Sequence, residues 1–303
     1  MGRWKEYLQY LDESTYSVQL LSSNLAPERP SPITERLEIH DLDYTLWPFQ
    51  QKILDQLEHS TLIIGLPTGL GKTYLAGAKL YKDSQVHPIR VLFLVPSIPL
   101  GVQQTLFARQ KLNVDACFIS GQISPQERSR LQVWNRSFVV TTPQTFFNDH
   151  LTSRQNLLDE ARDHEKPIQH LSGELNAFPY DTVIADECQR YIGKTDGYSI
   201  LLAARASESN ILALSATPQM HSPKRLRELK KIFKEIKTFS LEEPEIKRRM
   251  PRRLLIMERI RTPNRLLTVY HALGKLSRSY SHRIKNKYGS HNPHCTEHAL
   301  CRA

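Results

Sequence analysis

Thr61-Leu-Ile-Ile-Gly-Leu-Pro-Thr-Gly-Leu-Gly-Lys-Thr73 is the stretch on which the fold turns. Its first four residues are an apolar run of strand length, and Thr73–Tyr81 follows with helical spacing. A glycine-rich turn between a buried strand and a helix is the setting a phosphate-binding loop requires. Gly69 and Gly71 allow the backbone of Pro67, Thr68, Gly69, Leu70 and Gly71 to curl so that its N–H groups converge on phosphate oxygens at the helix N-terminus. Lys72 is then placed to reach the β- and γ-phosphates, and the Thr73 hydroxyl to ligate Mg²⁺. The common pattern begins with Gly where this chain has Leu66; the competing reading, a glycine turn that only starts a helix, does not account for Gly-Lys-Thr in this context.

Working outward, short apolar runs recur at Val91–Val95, Ala116–Ile119, Phe138–Thr141, Thr182–Ala185 and Ile211–Leu214, each the length of a strand buried on both faces. Helical spacing fills the gaps at Leu100–Lys111, Pro125–Trp134 and Ser199–Ala206. Alternating strands and helices imply right-handed crossovers, so the expected fold is α/β: a doubly wound parallel sheet covered on both sides. Residues 152–178 read as a charged, helical insertion. From Pro218 the alternation is expected to stop, with a basic helix over Pro223–Ile236, a connector over Ser240–Pro251, a strand over Arg253–Arg259 and a helix over Asn264–Tyr288.

Thr182-Val-Ile-Ala-Asp-Glu-Cys-Gln189 sets two adjacent carboxylates at the C-terminal end of an apolar strand, where parallel sheets bind ligands. Asp186 can hold Mg²⁺ directly or through water, and Glu187 can orient and deprotonate an attacking water. Acidic residues often do no more than end strands. Together with Lys72 the pair makes a nucleotide-hydrolysis half-site.

With these residues in view, the chain resembles the superfamily-2 DEAD/DEAH-type helicases and translocases. Leu66–Thr73, Asp186-Glu-Cys-Gln189 and Ser215-Ala-Thr217 look like motifs I, II and III, in order and at the spacing of the first RecA-like domain. Trp47-Pro-Phe-Gln50 resembles the upstream adenine-recognition element, which nominates Gln50. Val95–Leu100, Ser120-Gly121 with Arg128, and Thr142-Pro-Gln-Thr145 resemble motif Ia, the following Thr-Gly-type element and motif Ib. Within the superfamily, Leu66–Thr73 and Thr142-Pro-Gln-Thr-Phe-Phe-Asn-Asp149 are most similar to the archaeal Hef and Fanconi-anaemia M branch, which remodels branched DNA and serves DNA repair; Dicer- and RIG-I-like RNA-dependent ATPases come next. Coverage runs from about 44 to 218. The resemblance implies a RecA-like P-loop NTPase domain using ATP and Mg²⁺, with Lys72, Asp186 and Glu187 as catalytic residues, Gln50, Pro67–Gly71, Lys72 and Thr73 on the nucleotide, and Thr73 and Asp186 on the metal.

Two departures qualify it. Gln189 stands where most relatives have a His linking the hydrolysis site to motif III, so Gln189, Ser215 and Thr217 are the coupling residues; an amide can still donate and accept there. No Gln-x-x-Gly-Arg-x-x-Arg run follows Thr217, so the arginines of motif VI are expected from a second RecA-like domain absent from this chain. Independently of any family, Ser97, Ser120, Gly121, Thr142 and Gln144 lie just past strand ends, where hydroxyls, an amide and backbone N–H groups can hold a phosphate backbone without reading bases. A helix cap is the ordinary role of any one such Ser or Thr.

Composition fits this picture: 303 residues, 40% hydrophobic and 24% charged, exclude disordered and collagen-like classes. No apolar run reaches the roughly 20 residues of a bilayer span, and the first residues are not a signal peptide, so a cytosolic location, nucleoid-associated in a prokaryote, is expected. Four cysteines are too few and dispersed for a disulfide framework. The net charge of +10 is concentrated in residues 221–290, which hold 20 Lys/Arg against 6 Asp/Glu and suggest a polyanionic partner or a solvated helical face. The expected organisation is a lead-in over 1–43, a RecA-like domain over 44–220, a basic helical segment opening an insertion over 221–290, and a flexible tail over 291–303 whose His and Cys spacing fits zinc poorly. The expected function is the first motor domain of an ATP-dependent DNA helicase or translocase. The alternatives are an RNA-dependent ATPase, or a nucleotide- and nucleic-acid-binding module with little hydrolysis of its own.

Overall fold

The computed structural model describes residues 25–31, 33–57, 61–64, 66, 69–163, 178–216, 223–238, 244–249 and 264–288. Within residues 1–251, which form one of two compact units, β1 (Thr61–Ile64), β2 (Val91–Leu94), β3 (Ala116–Ile119), β4 (Phe138–Thr141), β5 (Thr182–Ala185), β6 (Asn210–Ser215) and β7 (Glu235–Thr238) make one sheet. Its order is β3-β4-β2-β5-β6-β1-β7, and every pairing is parallel. Each predicted apolar run is a strand. Continuous apolar strands belong in such a sheet because helices cover both of its faces.

The pleat sends successive residues to opposite sides. On one side Leu92, Leu94, Val139, Val183, Ala185, Ile211 and Ala213 pack under Phe146, Leu158, Tyr198 and Leu229. On the other Val91, Phe93, Phe118, Val140, Ile184 and Leu214 pack under Phe49, Leu75 and Val102. Those covering residues sit on α1 (Pro48–Leu54), α2 (Lys72–Ser84), α3 (Ile98–Lys111), α5 (Pro143–His150), α6 (Gln155–Asp163), α7 (Asp196–Ala206) and α8 (Pro223–Ile232), with α4 (Pro125–Arg130) between β3 and β4. Full burial of one such apolar side chain contributes about 1.5–3 kcal/mol. Proline opens α1, α4, α5, α8 and α9 (Pro244–Arg249), at the position where its missing N–H costs nothing and its fixed φ suits the helix. From the lead-in, Leu37 bridges Ile89 and Leu25 accepts from Phe118 N–H at 2.9 Å, so residues 25–47 are tied onto the sheet.

The basic stretch after Pro218 differs from the expectation. The helix ends at Ile232, and Glu235–Thr238 adds a seventh strand beside β1. The alternation therefore continues for one more unit past residue 220. Glu-Ile-Lys-Thr carries no apolar run because it is an edge strand, and charges on an edge discourage pairing with another chain. Ser240–Pro251, expected as a connector, contains α9. The expected Arg253–Arg259 strand, the tail, the first 24 residues of the lead-in and residues 164–177 of the 152–178 insertion lie outside the described residues; α6 is the helical part of that insertion that is described. The second unit, 252–303, contributes α10 (Asn264–Tyr288) as expected, a helix about 37 Å long. Leu266, Val269, Tyr270, Leu273, Leu276 and Tyr280, at helical spacing, are exposed on it.

Candidate functional site

β1, β6 and β5 are neighbours in the sheet, so the segments leaving their C-terminal ends meet although the first is more than a hundred residues from the other two in sequence. Gly71 caps α2 with φ +74°, and Gly69 has φ +92°, both in the region that favours glycine. Gly71 is also pressed by Gln50, whose Nε2 occupies the space that a Cβ at position 71 would need. Lys72 is buried and donates from Nζ to Leu66 O at 3.1 Å. Burial pulls its ammonium below the usual lysine value, while the charges of Glu187 and Asp186 oppose that shift. Pro67 and Thr68 lie outside the described residues.

At the end of β5, Asp186 is buried and accepts from Glu187 N–H at 3.0 Å through Oδ1. Burial first, and the adjacent Glu187 charge second, push its carboxyl above the usual aspartate value. Glu187 adopts a left-handed backbone at φ +50°. Strained non-glycine residues of this kind collect at functional sites, where the surroundings over-determine them. From there a chain of side chains leads across to β6: Gln189 Nε2 donates to Glu187 Oε2, and Ser215 Oγ donates to Gln189 Oε1 at 2.7 Å. The amide at position 189 uses both of its ends, one toward each motif. Thr217 lies outside the described residues.

Sequence reading missed Gln104. It is buried on α3, and its Nε2 donates to Thr73 Oγ1 at 3.3 Å and Asp186 Oδ2 at 3.2 Å. Two candidate ligand oxygens, one from the first turn of α2 and one from the segment after β5, therefore converge on one point, a hard-oxygen donor pair that suits Mg²⁺. Nothing in the sequence near Gln104 signals this, because a glutamine on a helix is ordinary and only the packing of α3 aims it. Gln50, nominated for adenine recognition, reaches the glycine loop through its side chain. Its Nε2 donates to Leu70 O at 3.0 Å, and its Oε1 accepts from Trp47 N–H at 2.8 Å. In this arrangement the side chain braces the glycine loop.

Three further strands lead into the expected nucleic-acid residues. β3, β4 and β2 are consecutive in the sheet, so Ser120-Gly121, Thr142 and Ser97 line up along one half of its C-terminal rim. Ser97 caps α3 without a side-chain hydrogen bond, Thr142 pairs with the Thr145 hydroxyl at 2.9 Å, and Gln144 is exposed. Ser120 is buried and its Oγ accepts from Gln122 N–H at 3.4 Å; space is open beside Gly121. Arg128, which the resemblance grouped with Ser120-Gly121, is bonded within the domain. Its guanidinium is buried, holds Asp149 through two bonds of 2.6 Å, and also donates to Ile123 O.

A model of the DEAD/DEAH box helicase family matches residues 47–226. The chain is 27% identical over 184 residues to the ATP-dependent DNA helicase MPH1 of Candida albicans, covering 59% of this chain and 14% of that protein. It is 29% identical over 190 residues to the DEAD-box ATP-dependent DNA helicase Fancm of Drosophila melanogaster, covering 59% and 11%. The Hef helicase domain of Pyrococcus furiosus superposes with a TM-score of 0.51 at 24% identity over 66% of this chain and 39% of that one, a likeness of fold. The chain thus spans a small part of the length of these curated relatives. Among the described residues no helix is long and apolar enough to cross a membrane.

Proposed function

The chain belongs to the DEAD/DEAH box helicase family, and from that premise we propose that it is the first motor domain of an ATP-dependent DNA helicase or translocase, acting on duplex or branched DNA. The observation that carries this reading is the convergence of Lys72, Thr73, Asp186 and Glu187 at the ends of β1 and β5, with one buried amide touching both metal-ligand candidates. In this reading Lys72 exchanges the Leu66 carbonyl for phosphate oxygens, and the backbone of residues 67–71 surrounds the same phosphates. Thr73 and Asp186 hold Mg²⁺, which supplies charge neutralisation at the phosphates. Glu187 takes the proton of the attacking water. Gln189 and Ser215, with Thr217, carry the state of Glu187 to the end of β6.

Ser97, Ser120, Gly121, Thr142 and Gln144 form the backbone-holding track, and contacts of that kind grip phosphates without selecting sequence. DNA is preferred over RNA because both curated relatives above are named as DNA helicases. A location with DNA, nucleoid or nucleus, accords with that choice. The arginines that act on the γ-phosphate come from a second RecA-like domain, which makes hydrolysis by residues 1–303 alone slow. An arginine finger is typically worth about 10³–10⁵ in rate. The test is titration of a fluorescent ATP analogue with Mg²⁺ into the wild-type chain and Lys72→Ala. Loss of binding in the variant supports the reading, and equal affinity overturns it.

A further inference from the structure

Gln104 is buried, yet its Oε1 lies out of water with no hydrogen-bond partner, while both N–H bonds of its Nε2 go to Thr73 Oγ1 and Asp186 Oδ2. An unpaired buried carbonyl costs stability. A leucine or methionine would fill a similar volume without that cost, so packing alone does not account for an amide here.

What the amide accomplishes follows from counting lone pairs. Thr73 Oγ1 has two lone pairs and Asp186 Oδ2 has at least two acceptor directions. One N–H bond to each oxygen fixes its position and leaves a lone pair free. The donor must face them because an ionised carboxylate only accepts, which sets the amide orientation. Asp186 Oδ1 is fixed in the same manner by Glu187 N–H. The N–H groups also place positive charge between two electron-rich oxygens that would otherwise repel.

Resting on the proposed Mg·ATP site, we propose that Gln104 is a positioning residue for the divalent cation: it holds the Thr73 hydroxyl, at the start of α2, and the Asp186 carboxylate, just past β5, at one shared point. Loss of an outer-shell partner of this kind typically lowers metal affinity by about 10–100-fold.

The test uses the full chain and two variants, Gln104→Met and Gln104→Glu. Methionine keeps the length and removes the donor, and glutamate keeps the shape but sets a carboxylate beside Asp186. Affinity for a fluorescent ADP analogue is measured in excess Mg²⁺ and in EDTA, and thermal unfolding is followed without nucleotide. Binding in EDTA is expected to stay within about twofold of wild type for both variants. The gain in affinity that Mg²⁺ brings should fall by about tenfold or more, and a cooperative unfolding transition in both variants shows that they are folded. Equal weakening with and without Mg²⁺, or an unchanged Mg²⁺ gain, overturns the proposal. Failure of the wild-type chain to bind the nucleotide at all would instead overturn the functional reading on which it rests.

Discussion

The two halves of the sheet's C-terminal rim are built from the same kind of strand and differ in what their polar side chains touch. On the β5-β6-β1 half, Lys72, Thr73, Asp186, Glu187, Gln189 and Ser215 are bonded into one another's surroundings through Leu66, Gln104 and the motif-linking amide. On the β3-β4-β2 half, Ser97 leaves its hydroxyl off the helix cap and Gln144 faces solvent, while the strong polar bonds run underneath, from Arg128 and Trp134 to Asp149. Chemistry at a phosphate needs groups fixed before the substrate arrives. Holding a polymer backbone needs groups free to exchange water for phosphate.

The sharpest way to break this comparison is at Glu187. Glu187→Gln should keep Mg·ATP binding and lower whatever hydrolysis the chain shows by about 10²–10⁴-fold, since shape is preserved and the base is lost. Single-turnover ATPase assays measure it, and a variant as fast as wild type would remove Glu187 from the chemistry.

A second effect lies beneath the other half. His150 stacks near Phe146 and Trp134 at ring separations of 4.5 and 5.1 Å, and its Nε2 is buried without a partner. Burial lowers its pKa from the ordinary 6.5 to about 4, with Arg90 and Arg154 adding to the shift and Asp149 opposing it. The folded state therefore keeps the neutral ring, so this contribution is complete above pH 6.5 and is lost as pH falls from there towards 4. The full range is worth up to about 3 kcal/mol. Urea unfolding at pH 7 and pH 4.5 should show that loss, and His150→Phe should flatten it. An unchanged pH profile would show that the ring titrates freely.

Arg128→Ala should destabilise the fold by about 2 kcal/mol, between the values for surface and buried ion pairs, because only the arginine is fully covered. Its main readout is thermal unfolding. A variant of wild-type stability with impaired DNA binding would instead add Arg128 to the nucleic-acid track. Smallest should be Thr142→Ala, a loss of about 1 kcal/mol in DNA affinity with no sequence preference, measured by fluorescence anisotropy on forked duplexes of different sequence. Replacement of exposed Arg227, Lys230 and Lys234 by Ala should flatten the salt dependence, by about 0.9 in the log–log slope for each phosphate that is no longer neutralised. Superimposable salt lines would make that segment a solvated surface.

The six apolar runs were legible because a strand covered on both faces must be apolar throughout, and β7 was not because an edge strand need not be. The glycine loop, the Asp-Glu pair and the Ser-Ala-Thr segment were legible because each sits at a strand end, where local chemistry and position coincide. Gln104 was not, since its partners lie 31 and 82 residues away in sequence. The partner of Arg128 was not legible for the same reason: its carboxylate is 21 residues on.

What the sequence by itself determined is the set of chemical groups and the strand or helix that carries each, because periodicity, glycine turns and proline starts act within a few residues. The tertiary structure alone decided which groups share a point in space. Strand order set β6 between β1 and β5, and the packing of α3 turned one ordinary glutamine toward two oxygens. Those outcomes depend on how whole elements bury their apolar faces against one another, and no short stretch of sequence contains them.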